Sequence, residues 1–157
     1  MLNQVRYLPI GSGSASPLSR KVYAQIRQDF GMVVDPFRLH ASLPTLLAGV
    51  WAACRETELV GVAPRSAKEL VAACVSETNR CPYCVDAHTM LLNSAGQHTL
   101  SKTFVASGAN EIADDAHRRI AEWALASRTP DHPILSDPPF KEAGGWSSSA
   151  WWFSTII

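Results

Sequence analysis

Apolar residues in this chain recur at spacings of three and four, in short segments bounded by proline or glycine, and nowhere alternate long enough to make a strand. That period confines the chain to helices packed on helices, an all-α fold. About six helices are predicted. The first spans 17–30, with Val22, Ile26 and Phe30 on one face and Gly31 placed to end it. The second spans 42–54, with Ser42 as its cap, Pro44 in its first turn, and a stripe of Leu43, Leu46, Leu47, Val50, Trp51 and Cys54. A third covers 66–78, with Leu70, Val71, Cys74 and Val75 facing inward, and a fourth covers 82–95, stopped by Gly96. A short segment at 99–107 and a longer one at 111–127 follow, the latter striped by Ile112, Ala116, Ile120 and Trp123. The prolines after Thr129 read as loop.

Composition narrows the function classes. The chain has 157 residues, 46% hydrophobic and 18% charged, with a net charge of zero. That suits one folded domain and excludes a basic stripe for nucleic acid or a polybasic membrane anchor. No apolar run approaches the ~20 residues of a membrane span, and the N-terminus lacks the pattern of a signal peptide. The expected compartment is therefore the cytoplasm. There, cysteines that cluster point to redox or metal chemistry rather than to a disulfide framework.

Only one pair clusters. Cys81-Pro82-Tyr83-Cys84 is a C-x-x-C whose proline fits the first position of a helix, so both sulfurs belong to a first turn. A helix N-terminus favours thiolate, and two thiols at this spacing can also close into a disulfide. His88 follows Cys84 by one turn, on the same face, where it could exchange a proton with it. Glu69 lies on the preceding helix; taken alone it is an ordinary solvated residue, but if the two helices fold back on each other it can face this turn. Glu77 reads as a cap or surface residue, and Asp86 as a favourable charge near the helix start. His40, His98, His117 and His132 read as surface residues, and Trp51 and Trp123 as core.

Other readings of the pair stay open. Cys81, Cys84 and His88 could be three zinc ligands, with His98 or Asp86 as a fourth. Cys54 and Cys74, on apolar stripes, read instead as core residues. Haem attachment needs His directly after the second cysteine, where this chain has Val85. A thioredoxin-like arrangement needs a βαβ context, and none is visible.

Glu69, eleven intervening residues, Cys81-x-x-Cys84, three more, and His88 resemble the active-site pattern of the AhpD-like alkylhydroperoxidases, within the carboxymuconolactone decarboxylase superfamily. The resemblance covers roughly residues 20–140. It implies a compact helical bundle that assembles as trimers or hexamers. It also implies reduction of alkyl hydroperoxides through a dithiol cycle, without cofactor or metal, reset by an external thiol or dithiol protein. Carried over, Cys84 is the attacking thiolate, Cys81 the resolving and more exposed thiol, and His88 with Glu69 the proton relay. The founding type has His before its second cysteine, where this chain has Tyr83, which puts one arm of the relay in question. Members that decarboxylate muconolactones lack the cysteine pair. A redox sensor or disulfide carrier on the same fold is the alternative, beside the zinc module.

The domain occupies 17–140, behind a flexible lead-in over 1–16. Residues 141–157 are atypical, with three of the five tryptophans beside a serine run. Shifted by one reading frame, the stretch from 144 back-translates to mostly apolar residues. Two readings stand: a frame lost near residue 143, leaving a C-terminal helix missing, or an unusual genuine terminus.

Overall fold

Each of the six apolar segments forms a helix. The structure is a computed structural model and describes residues 16–61 and 63–139. The tail over 141–157, and all but Ser16 of the lead-in, lie outside the described residues. Among the described residues all regular structure is helical. None of these helices is long and apolar enough to cross a membrane. The chain divides into two compact units, Met1–Glu56 and Thr57–Ile157.

In the first unit, α1 spans Pro17–Phe30. Ser16 caps it by accepting from Ser19 N, and Gly31, at φ 76°, ends it by donating to the Arg27 carbonyl. Helix α2 is a single turn, Asp35–Arg38, too short to show a period in sequence. Helix α3 spans Pro44–Cys54, and its flanking residue is Leu43, which offers no side-chain cap, rather than Ser42. Its stripe is only partly covered. Leu47 and Trp51 are buried, whereas Leu43 and Leu46 are exposed. Trp51 meets Phe30 and Phe37 edge-on and donates to Gln25 Oε1 at 2.9 Å, which satisfies its indole N–H.

From Arg55 to Leu59 the chain runs on as a π-helical turn that the apolar spacing does not predict. It buries Glu58, in the second unit.

The second unit is built around α4, Arg65–Thr78. This helix is buried on nearly every side, from Ala67 to Ser76, which is more than the one inward stripe expected of it. It packs against α5, Pro82–Ser94, and α7, Asp115–Ala126; α5 in turn packs against α6, His98–Ser107. Leu70, Cys74, Leu92, Phe104, Ile112 and Ala121 form the shared core. Helix α7 starts four residues later than predicted. Asp114 takes the cap position by accepting from His117 N, so Ile112 reaches the core from extended backbone. The proline-rich segment after it holds a 3-10 turn, Pro133–Ser136.

The turn between α4 and α5 positions the site. Cys81 N donates to the Ser76 carbonyl and Arg80 N to the Glu77 carbonyl, both at 3.0 Å. This is a Schellman closure, with Arg80 in the left-handed position at φ 54°. The chain reverses within three residues, so the end of α4 leads directly into the cysteine pair.

Candidate active site

Cys81 is the residue that flanks α5 at its N-terminus, and Pro82 opens the helix, as the sequence predicts. Cys81 and Cys84 are joined in a disulfide with a Cα–Cα separation of 5.4 Å, within the normal range. Both residues are half-buried, so exposure does not separate a resolving from an attacking thiol. His88, one turn further along α5, is buried.

Because α4 and α5 fold back on each other, Glu69 meets His88 across the helix pair. Glu69 is wholly buried, and His88 Nδ1 donates to its Oε2 at 2.8 Å. The other carboxylate oxygen, Oε1, accepts from Arg65 Nε, one turn earlier on α4. Both oxygens of a buried carboxylate are thereby satisfied, which an unpaired charge at zero exposure would require. With Nδ1 committed to Glu69, Nε2 is the His88 nitrogen left to exchange a proton.

More charge surrounds this row. Burial is the largest influence on His88 and disfavours its charged form. The hydrogen bond that His88 donates to Glu69 and the charges of Glu58 and Glu69 outweigh it, against a smaller opposing effect of Arg65, so the His88 pKa is raised. Lys68 is buried, and its Nζ donates to the Val60 carbonyl. Burial, with the Arg65 charge, lowers its pKa against the pull of Glu58 and Glu69. Cys74 is buried in the core behind the site, and burial pushes its thiol far above the ordinary range, so it is inert.

The structure thus brings together Glu69 and His88 by direct contact, and Cys81 and Cys84 by a covalent bond. Cys84 and His88 share a helix face, one turn apart. The other residues weighed in the sequence lie apart. Glu77 and Asp86 are exposed. The His98 ring nitrogen Nδ1 pairs with the Asn93 side chain, and His117 pairs with Asp114. Among the described residues no group of three or more His, Cys, Asp or Glu side chains is arranged to hold a metal ion. Sequence reasoning missed Arg65, Lys68 and Glu58. For Arg65 a signal existed, since a cation four residues before a carboxylate is a standard helical pair. For Glu58 none did, because the π-turn that buries it leaves no period.

An all-helical fold with this Glu–Cys–Cys–His spacing is AhpD-like in class, and residues 45–98 match the model of the carboxymuconolactone decarboxylase family. More particularly, it is similar to a protein of Mycobacterium tuberculosis named alkyl hydroperoxide reductase, with 39% identity over 125 residues, or 80% of this chain. The chain spans only 36% of that relative's length. No solved structure matches it.

Proposed function

We propose that the chain is a thiol-dependent peroxidase that reduces alkyl hydroperoxides through the Cys81–Cys84 pair. The observation that carries this reading is a closed C-x-x-C disulfide at the start of a helix, one turn before a histidine hydrogen-bonded to a buried carboxylate. A structural pair would have no use for the second half of that arrangement. The likeness to a protein named alkyl hydroperoxide reductase supports the substrate class.

In the reduced protein, the Cys84 thiolate attacks the terminal oxygen of the hydroperoxide. The O–O bond breaks, Cys84 becomes a sulfenic acid, and the alkoxide takes a proton from His88 Nε2 and leaves as alcohol. The Cys81 thiol then attacks the sulfenic sulfur. Water leaves, carrying the sulfenic hydroxyl and the thiol proton, and the disulfide closes. An external dithiol protein reduces the pair by exchange and is itself oxidised. Glu69 stabilises the imidazolium that supplies the proton and holds the ring in one orientation. We further propose a reducing compartment, the cytoplasm, as the source of that dithiol, and a homo-oligomer as the working form.

The test is a thiol titration of reduced, metal-free protein before and after one equivalent of an alkyl hydroperoxide. Loss of two thiols in the parent protein is expected, with a trapped sulfenic acid on Cys84 in Cys81→Ser and no reaction in Cys84→Ser. If the parent loses no thiol, and the protein before metal removal carries a stoichiometric zinc, the redox reading fails. If thiols are lost only by exchange with other disulfides, the chain is a disulfide carrier rather than a peroxidase.

A further inference from the structure

Arg65 takes no part in the steps above, yet it completes a hydrogen-bonded row. Its Nε donates to Glu69 Oε1, and Glu69 Oε2 accepts from His88 Nδ1 at 2.8 Å. Arg65 and Glu69 are one turn apart on α4, so the helix itself sets their register. The Arg65 side chain is about a third exposed, at 32%, while Glu69 is at 0%. The row therefore runs inward from a partly solvated cation to a buried carboxylate and on to the imidazole.

A buried carboxylate beside an imidazole has two ways to hold their common proton. The proton can rest on the ring, giving an ion pair, or on the carboxylate, giving two neutral groups. Burial favours the neutral pair, because charge separation away from water is costly. We propose that Arg65 is the positioning residue that keeps this proton on His88, by stabilising the Glu69 carboxylate from its far side. A guanidinium suits the task because it does not deprotonate in proteins.

Arg65 acts on the pair in two senses. Near Glu69, it favours the carboxylate and so sets where the proton rests. As a positive charge near His88, it also makes the pair as a whole hold its proton less tightly. The charged groups that act on His88 are Glu69 and Arg65 from α4, and Glu58 from the π-turn. Removing the guanidinium therefore moves the proton to Glu69 and raises the pH at which the pair loses it. His88 then has no ready proton to give to a leaving alkoxide.

The consequence for turnover rests on the peroxidase reading; the position of the proton does not. The experiment is accordingly a pH titration of the His88 ring nitrogens by NMR in the oxidised protein, followed separately by peroxide-dependent thiol loss in the reduced protein. In the parent, His88 is expected to be mostly imidazolium at about pH 6.5, the ordinary midpoint. In Arg65→Met, the ring is expected to be mostly neutral there, with the loss of the pair's proton shifted upward by half a pH unit or more. Arg65→Lys should keep the imidazolium. Thiol loss should slow by roughly tenfold or more in Arg65→Met and by much less in Arg65→Lys. A ring charge unchanged in Arg65→Met overturns the proposal, as does Arg65→Lys behaving like Arg65→Met. Should Arg65→Met not fold, Arg65→Gln replaces it, and a mostly neutral His88 in the parent at that pH overturns the proposal alone. If the parent loses no thiol to peroxide while the ring titration behaves as described, the peroxidase reading fails and the positioning role stands.

Discussion

Glu69 is the residue on which the site's stability turns. It is fully buried and pairs with Arg65 through one oxygen and with His88 through the other, so Glu69→Gln leaves both partners without their carboxylate. Breaking a buried pair from one side costs about 3–5 kcal/mol. The pH dependence follows from the raised His88 pKa. A raised pKa means the folded form binds the proton more tightly than the unfolded chain. The contribution of the Glu69–His88 pair is thus complete below the ordinary value of 6.5 and is lost as pH rises through the raised folded value. Urea unfolding between about pH 5.5 and 9 should show the gap between the parent and Glu69→Gln narrowing with rising pH, without closing, since the Arg65 contact persists. A gap that widens would refute the assignment of charge to His88. From sequence, the Cys81–Cys84–His88 group was legible because it lies within one helix, where spacing decides which side chains share a face. The state of Glu69 was not, because its partner is nineteen residues away on another helix.

At the level of elements, the ends of helices matter more than their middles. The Schellman turn at Arg80 aims α5, and the end of α6 is closed by Gly108, whose N–H donates to the Phe104 carbonyl at 2.8 Å. Gly108 sits at φ 70°, ψ −163°, a conformation open essentially to glycine alone. A Cβ there would lie 3.0 Å from Glu77 Oε1. Gly108→Ala should therefore destabilise the protein by about 1–3 kcal/mol, read as a lowered melting temperature. The double variant with Glu77→Ala should recover only the part due to crowding, because the backbone strain remains. Full recovery would mean that the strain is negligible. The helix bodies were predicted well, whereas α2, the π-turn and the start of α7 were not. A single turn shows no period, a π-turn breaks it, and the Asp114 cap competes with an apolar pattern that runs past it.

Over the whole molecule, four cysteines divide into two kinds by environment rather than by chemistry. Cys81 and Cys84 sit half-buried at a helix start, Cys54 is half-buried in the first unit, and Cys74 is at zero exposure in the core of the second. In the oxidised protein a thiol reagent under native conditions should label Cys54 and leave Cys74 unreacted. Cys74 should react only at the rate of global opening, so its labelling should quicken with denaturant in step with unfolding. Fast labelling of Cys74 without denaturant would show that this core opens locally.

Local features were legible in the chain before folding: the helical period, the proline that starts α5, and the placing of two sulfurs and an imidazole along one helix face. These follow from the fixed rise and turn of a helix, which need no tertiary contact. The electrostatics of the site came from the packing of helices: Glu69 is buried, Arg65 and His88 share it, and Glu58 bears on the ring. Burial and pairing depend on which helices meet, and a charge gains or loses several kcal/mol with the water around it.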